Sequence, residues 1–410
     1  MKGWIPRLPL VSGLGSFGLS WIVLFAIARA GLPDASLLPL AWVHLVALGW
    51  IGTIALAVIF FALPTFLDVE WEGPWQATAR TCTLVFGIAA LALSLGFWLG
   101  SIPLLQIAGT AILATLLVYT LAMAQPLAIA MRGERARRAI ARAFAITFCA
   151  LLLTAILGVS FAYALGGRLA PAFLVGTPQA HALLGIGGWL TLLVFGVSGR
   201  TLGPIAGARS RSLALHIASS SLVLAGTAIA ATGAATRLPI VLTIGSALIL
   251  AGTIAYAADI LDVLGRATVP HRPPQAWMGA AAIWAIVAAT LLLLSAFGAT
   301  FASAGIFVAL IGWIGSAILA HIHHIGVRVL LTTLRGEDDE TRPGDVLCAP
   351  VSWATLGLYQ FATLVGAYAL CANAPLVLEA AAVAGFLAFL TTAINAVYAH
   401  RAAAFSTIRL

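Results

Sequence analysis

Histidine is the residue type in this chain whose number and placement point to chemistry. Only eight occur in 410 residues, and three of them, His321, His323 and His324, fall within four positions of the apolar segment SAILAHIHHIGVRVLL. Imidazole is a good ligand for haem iron, copper and zinc. Ionisable residues inside a membrane are functional by default and face the bundle interior. The three histidines therefore predict ligands, or ligand support, at a cofactor site. A helix-packing role stays open.

Two further histidines occupy matching places in two apolar segments. His44 precedes a Gly-Trp pair by five residues and His181 precedes another by seven. At the rise of an α-helix, the two imidazoles differ in depth by roughly 3 Å. The spacing predicts that they hold one metal ion or one haem from both sides. The alternative is that each is a polar residue near the membrane interface, bonded to a neighbouring helix or to water.

The elements that must position these histidines are membrane helices. Hydrophobic residues make up 62% of the chain and charged residues 8%, against about 25% charged in a soluble domain. Backbone groups in hydrocarbon must pair within each segment, so spanning segments are helices. An all-α bundle of twelve transmembrane helices is predicted, at 8–30, 37–65, 79–99, 102–131, 140–166, 177–199, 212–233, 238–264, 277–298, 302–333, 350–372 and 376–399.

The chain repeats itself every four helices. Gly49-Trp50, Gly188-Trp189 and Gly312-Trp313 mark predicted helices 2, 6 and 10, and small and aliphatic residues follow each pair. The pattern predicts one integral membrane domain, 1–410, built from three pseudo-repeated units at roughly 1–138, 139–272 and 273–410. A chance recurrence of Gly-Trp is the alternative.

The charges set the expected topology. The net charge is +8, and with both termini in the cytoplasm all of the 21 Lys and Arg except Arg29, Arg168 and Arg237 lie on the cytoplasmic side. This is the positive-inside rule. It predicts a multi-pass protein of a prokaryotic cytoplasmic (inner) membrane, with lipid rather than nucleic acid as its partner. The four cysteines show no C-x-x-C spacing, so they signal neither zinc nor covalently attached haem.

Twelve helices in three units, with histidines on helices 2, 6, 7 and 10 and an H-x-H on helix 10, resemble subunit I of the haem-copper oxidase superfamily. The segments HLVALGWIGTIAL and HALLGIGGWLTLLVFGV are most similar to NnrS-family haem- and copper-containing membrane proteins, which are associated with nitric oxide stress. The resemblance covers the topology of the whole chain, and its specific motifs cover about 50 residues.

The resemblance implies roles for individual residues. His44 matches the helix 2 haem ligand and His321 or His323 the helix 10 ligands, while His181 and His216 match positions that approach copper. His324 joins the candidate metal ligands. Apart from the resemblance, Arg328, one turn beyond His324, indicates that the helix leaves the hydrocarbon there, and it is a candidate partner for a haem propionate, a sulfate-like anion or a lipid phosphate.

The sequence also departs from an oxidase. Helix 7 lacks paired histidines, and the only acids within the spans, Asp259, Asp262 and Glu379, lie near helix ends. A proton-pumping oxidase needs a supply line of protonatable groups. The expected function is therefore a haem b protein, with or without copper, that senses, buffers or slowly turns over nitric oxide or another small gas.

If the protein is an enzyme, it is expected to be an oxidoreductase acting on nitric oxide or oxygen, with a separate protein as electron donor. Two alternatives stay open. One is a secondary transporter, and the other is a structural or assembly subunit of a membrane complex.

Overall fold

A computed structural model describes residues 7–31, 37–169, 177–336 and 339–405. These residues form helices joined by short connections, and no strand occurs among them. Twelve helices are long and apolar enough to cross a membrane: α1 Arg7–Ala30, α2 Leu38–Leu67, α3 Pro74–Leu99, α4 Ile102–Met131, α5 Arg135–Leu165, α6 Thr177–Ala206, α7 Leu213–Thr236, α8 Pro239–Gly265, α9 Pro273–Ala296, α10 Ala302–Arg335, α11 Ala349–Ala372 and α12 Pro375–Phe405. The predicted all-α membrane fold with twelve spans is confirmed.

Local sequence explains where several helices begin and end. Pro74 and Pro239 stand at the first position of α3 and α8, where a missing N–H costs nothing because it has no intrahelical partner. Asp68, Arg237 and Asn373 end α2, α7 and α11 in the left-handed conformation, with φ of 50°, 57° and 50°. This conformation lets backbone N–H groups just after each helix donate hydrogen bonds to the last carbonyls of that helix.

Some helices extend further than the apolar runs predicted. Helix α3 begins at Pro74 and α5 at Arg135, instead of at 79 and 140, while α6 continues to Ala206 instead of ending at 199. The added turns contain charged and polar residues. Hydropathy marks the hydrocarbon-embedded part of a helix, whereas its backbone hydrogen bonds continue into the polar interface.

Three helices contain an eight-residue π-helical segment at the same place. The segments cover the Gly-Trp pairs and are Leu45–Gly52 in α2, Leu184–Thr191 in α6 and Val308–Gly315 in α10. A further π-helical turn, Ile322–Gly326, carries His323 and His324. π-Helical turns are rare and are frequent at functional sites. Each eight-residue segment begins five residues before its tryptophan and ends two residues after it.

The tryptophans of these segments meet at the centre of the bundle. The Trp50 ring lies against Gly315, where an added Cβ would come 2.9 Å from the ring, and the Trp189 ring lies in the same way against Gly52, at 3.2 Å. All three helices run in the same direction. The contacts therefore bring α2 against both α10 and α6 at one level.

The third tryptophan, Trp313, connects α10 to α6. The indole nitrogen of Trp313 donates a hydrogen bond to the Thr191 hydroxyl at 3.1 Å. Each tryptophan thus contacts the residue two positions after the tryptophan of another helix. We call Trp50, Trp189 and Trp313 the tryptophan ring. All three are at most 2% exposed, so the bundle centre is filled with side chains.

The bundle has two ends with different connections. One end, here called the basic face, is formed by the connections 68–73, 132–134, 207–212, 266–272 and 339–348. The other, called the opposite face, includes the connections at 100–101, 237–238, 297–301 and 373–374.

Candidate functional site

The site nearest the opposite face is built around His44 and His181. His44 lies immediately before the π-helical segment of α2, and His181 lies three residues before that of α6. The two imidazole rings have centroids 6.3 Å apart and planes inclined by 26°. The structure thus brings together the two histidines that the sequence placed at similar depth.

Backbone carbonyls fix the tautomer of both imidazoles. His44 Nδ1 is 2.8 Å from the carbonyl oxygen of Leu40, and His181 Nδ1 is 2.9 Å from that of Thr154 on α5. A carbonyl oxygen only accepts, so each Nδ1 carries the proton and each Nε2 has a lone pair. This is the arrangement typical of metal-ligating histidine. Among the described residues, neither Nε2 has a hydrogen-bond partner.

Aromatic and glycine residues form the walls of this site. The Phe97 ring of α3 stacks on His44 with centroids 4.7 Å apart, and the Phe161 ring of α5 meets His181 edge-on at 5.7 Å. At Gly158, also on α5, an added Cβ would lie 3.0 Å from Cε1 of His181. Only glycine gives the imidazole this room. All five residues are half-buried.

The separation of the rings suits one metal ion between two imidazoles. Two nitrogens that bind one metal from opposite sides, with bonds of about 2 Å each, place the ring centroids about 6 Å apart. Within the described ranges, no group of three or more His, Cys, Asp or Glu could hold a metal ion. The pair offers two imidazole nitrogens, fewer than the four ligands of a structural zinc site.

His321 makes two hydrogen bonds of its own. Its Nδ1 lies 2.6 Å from the carbonyl oxygen of Ala317, and its Nε2 lies 2.7 Å from the hydroxyl of Thr201 on α6. Because Nδ1 carries the proton, the hydroxyl donates to Nε2, which competes for this proton with the carbonyl of Val197, 3.0 Å from the same hydroxyl. Both ring nitrogens are occupied by protein groups. A metal ion would have to displace Thr201 to reach this imidazole.

His323 and His324 lie in the half of the bundle next to the basic face. His323 is 3% exposed, its Nδ1 donates to the carbonyl of Leu319 at 2.8 Å, and its ring stacks on Trp277 with centroids 6.1 Å apart. His324 is half-buried and within electrostatic reach of His271 and His321.

The histidines of α10 are far from His44. His44 lies six residues before its tryptophan, whereas His321 lies eight residues after the tryptophan of α10. The tryptophans are at one level, so the two imidazoles are separated by roughly 20 Å along the bundle axis. The structure pairs His44 with His181 rather than with His321 or His323.

His216 is likewise separate from His181. Its ring packs on Gly199 of α6, where an added Cβ would lie 3.0 Å from its Cε1. Gly199 follows His181 by eighteen residues in the same helix, a distance of roughly 25 Å. The two residues that the resemblance assigns to copper are therefore not brought together.

Arg328 is occupied by the chain itself. Its guanidinium donates to the backbone carbonyls of Asp339 and Thr341 at 2.8 and 3.2 Å. Arg335 donates to the carbonyls of Ala402 and Ala403 at 2.7 and 2.8 Å. Both arginines thus hold the chain around residues 339–341 or the end of α12.

Sequence reasoning did not find the neighbours of the histidines. The carbonyl of Thr154, the glycine at 158 and the hydroxyl of Thr201 all contact a histidine from another helix. Such contacts depend on how each helix is rotated about its axis. The sequence around a glycine or threonine in an apolar helix does not indicate which residue of another helix it contacts.

The fold and this site define a polytopic α-helical membrane protein with a half-buried pair of histidines on two neighbouring helices. No protein-family model matches the chain, and no curated protein matches it significantly.

Proposed function

We propose that this protein binds a haem b in the membrane and that His44 and His181 would hold it. The observation that carries the proposal is the pair of imidazoles on α2 and α6, 6.3 Å apart, each with Nδ1 bonded to a backbone carbonyl. The half-buried aromatic walls support the same conclusion, because an apolar macrocycle fits between apolar helices. The resemblance to NnrS-family proteins points in the same direction.

The protein groups have distinct tasks in this proposal. The carbonyls of Leu40 and Thr154 orient the imidazoles and raise their basicity through the Nδ1–H bonds. Phe97 and Phe161 exclude water from the site. The haem, when bound, supplies an iron centre for one-electron transfer and for small-gas ligation.

We further propose nitric oxide, or another small gas, as the ligand. A gas could bind to the haem only if one of the two imidazoles moved away from it. His181 is the candidate for the displaceable ligand, because it lies in the first turns of α6 and its Nδ1 bonds to a different helix. His44 is held by its own helix and by the Phe97 ring.

Copper is not part of the proposal. The candidates His216, His321, His323 and His324 do not converge with His181, and no group of three potential ligands occurs in the described ranges. Copper binding stays a prediction of the resemblance alone.

The orientation in the membrane is also proposed. The arginine-rich connections make the basic face the cytoplasmic one under the positive-inside rule. The haem then lies in the outer half of a prokaryotic inner membrane. A separate donor protein would supply electrons if the function is catalytic.

The packed centre of the bundle favours a haem-binding protein over a transporter with a central substrate route. Transporters of the repeat type bind substrate near the midplane, between repeats and often at broken helices. Here the tryptophan ring fills that place, and its side chains are at most 2% exposed.

Absorption spectra of the purified protein test the proposal. We expect a Soret band in the wild type that shifts on reduction and shifts again with nitric oxide. His44→Ala should remove most of the haem, and His181→Ala should leave a five-coordinate haem that binds the gas faster. His400→Ala is the matched control, because His400 is exposed at the end of α12.

Two results would contradict the proposal. One is protein from haem-replete cells without a Soret band. The other is a haem whose spectrum and content are unchanged in both His44→Ala and His181→Ala.

A further inference from the structure

A groove lies between α3 and α4 on the outside of the bundle. Its volume is about 490 Å³, within the range of about 300–1,000 Å³ that is usual for ligand pockets. Cys82 and Thr115 form its floor and are 7% and 8% exposed, whereas Val85 and Val118 form its edges and are 42% and 40% exposed. The remaining lining residues are Ala77, Thr78, Thr81 and Ala114. Both walls are membrane-spanning helices, so the groove opens toward lipid.

The lining of the groove is apolar, although three of its eight residues are threonines. The hydroxyls of Thr78, Thr81 and Thr115 donate to backbone carbonyls four residues earlier in their own helices, at 2.8, 3.1 and 2.7 Å. Each hydroxyl proton is therefore already used within a helix, and each threonine also carries a methyl group. The chemistry of the lining fits a hydrocarbon chain better than a polar molecule.

The groove extends over the depth of one lipid leaflet. Its α3 wall begins at Ala77, three residues from the helix start at the basic face, and ends at Val85. The helical rise from Pro74 to Val85 is roughly 16 Å. This is about half of the ~30 Å thickness of the hydrocarbon core. An acyl chain of the leaflet next to the basic face covers the same depth.

Two side chains at the basic face stand where the headgroup of such a lipid lies. Trp75 is 47% exposed and precedes Thr78 by three residues, on the same face of α3. Tryptophan is enriched at membrane–water interfaces. Arg132 follows Ala114 by eighteen residues, about five helical turns, and so lies on the same face of α4. Arg132 is exposed, and its side chain has no hydrogen bond or ion pair in the described part of the chain.

The charge beside this end of the groove is positive. The segment 132–142 contains five arginines and one glutamate. Arg137 is paired with Asp68 at 2.9 Å, and the two glutamates of the connection 68–73 precede α3. The positive charge is therefore concentrated on the side of α4 and α5, where Arg132 lies. Basic residues at a membrane surface attract anionic phospholipids, and a guanidinium binds phosphate with two parallel hydrogen bonds.

We propose that this groove binds one anionic phospholipid of the leaflet next to the basic face. One acyl chain lies between α3 and α4 against Cys82 and Thr115, and the headgroup phosphate accepts hydrogen bonds from Arg132. The indole ring of Trp75 packs at the interface beside the headgroup. The lipid site goes beyond the proposed haem site, which lies in the half of the bundle next to the opposite face.

Native mass spectrometry of the purified protein tests the lipid site. The protein is stripped of lipid in detergent and titrated with phosphatidylglycerol, which is anionic, or with phosphatidylcholine of the same acyl chains. We expect the first phosphatidylglycerol to bind more tightly than phosphatidylcholine. Val118→Trp fills the groove and should weaken this binding about tenfold or more, the effect of excluding about two methylene groups. Val383→Trp is the matched control, because Val383 is 49% exposed on α12 and outside the groove.

Arg132→Gln tests the headgroup contact separately from the groove. It should lower the preference for phosphatidylglycerol over phosphatidylcholine about fivefold, the scale of one arginine near an anionic lipid. Arg401→Gln is the control, because Arg401 is exposed at the end of α12, and it should keep the wild-type preference.

Three results would overturn the proposal. The first is equal affinity of the wild type for the two lipids, and the second is an unchanged preference in Arg132→Gln. The third is wild-type lipid binding in Val118→Trp. Ala114→Phe blocks the groove from its α4 wall and takes the place of Val118→Trp if that variant fails to fold. Wild-type lipid binding in this second variant would count against the site in the same way.

Discussion

The indole ring of Trp50 lies against the backbone of Gly315, on a helix more than 260 positions away in the chain. An added Cβ at residue 315 would come 2.9 Å from this ring and would also collide with the hydroxyl of Tyr359. That hydroxyl donates to the carbonyl of Ile311 at 2.8 Å. The close approach of α2, α10 and α11 at the membrane centre therefore depends on a glycine. Small residues commonly serve this purpose between membrane helices.

Gly315→Ala is expected to destabilise the bundle by about 1–3 kcal/mol, because overpacking forces neighbouring side chains out of their rotamers. Unfolding of the purified protein in mixed micelles, followed by circular dichroism, measures the change. Gly357→Ala is the matched control, because Gly357 lies in α11 with open space around it. Equal stabilities for the two variants would show that the contact at Gly315 does not constrain the helices.

The number and type of helices followed from the sequence, because long apolar runs have one stable form in hydrocarbon. The Gly-Trp repeat also pointed to α2, α6 and α10 as equivalent helices. Their π-helical geometry and the contacts within the tryptophan ring could not be predicted. These features depend on the local widening of three helices and on how the helices are rotated against one another. A Gly-Trp pair predicts neither.

The candidate site was also predicted only in part. Matched depths placed His44 beside His181, because helical rise is regular. The partner of His321 was not predictable, since Thr201 lies 120 positions away and reaches the imidazole only through the rotation of α6 against α10. Arg328 was expected to meet an anion, yet it binds backbone carbonyls of a connection whose path the sequence does not specify.

Gly158→Ala is expected to weaken haem binding at the proposed site. The new methyl group would lie 3.0 Å from Cε1 of His181, so the ring must move away from the carbonyl of Thr154. Loss of a group that orients a ligating histidine typically lowers metal affinity about 10- to 100-fold. Haem titration followed by absorption measures the affinity. Gly109→Ala is the control, since its methyl group would meet only Val159, at an ordinary 3.6 Å.

Thr201→Val is expected to destabilise the protein by about 1–3 kcal/mol, because it leaves Nε2 of His321 buried without a donor. Thr201→Ser keeps the hydroxyl and should recover most of the stability. Unfolding in mixed micelles measures both variants. If valine and serine have the same effect, packing rather than the hydrogen bond to His321 determines the role of Thr201.

Arg335→Met is expected to loosen the contact between the end of α10 and the end of α12. The guanidinium binds two carbonyls of α12 and the Thr341 hydroxyl, the latter at 2.8 Å, and methionine keeps the length of the side chain but none of these bonds. Limited proteolysis from the basic face should cut the connection 339–348 several-fold faster. Arg401→Met is the control, because Arg401 is exposed and makes no hydrogen bond or ion pair in the described chain. Equal cleavage rates in the two variants would argue against this role.

The connection 339–348 is also expected to loosen in acid through His271. Burial lowers the pKa of His271 from its ordinary value of 6.5, and the nearby Asp345 carboxylate opposes this only in part. Its ring packs against Gly344, and its Nε2 is buried without a partner. The docked state therefore favours neutral imidazole, whereas the undocked state takes up a proton more readily. Docking is unaffected well above pH 6.5 and weakens as the pH falls below it.

His271→Asn removes the titrating group and should flatten this pH dependence. Protease cleavage of the connection 339–348, measured from about pH 7.5 to pH 5.5, should accelerate as the pH falls in the wild type and change less in the variant. The protease activity is calibrated at each pH on an unfolded peptide. His400→Asn should keep the wild-type dependence, because His400 is exposed at the end of α12 and not against this connection. A slope that is the same in His271→Asn and wild type would assign the acid sensitivity to another group, since only His271 packs its ring against Gly344 among the described histidines.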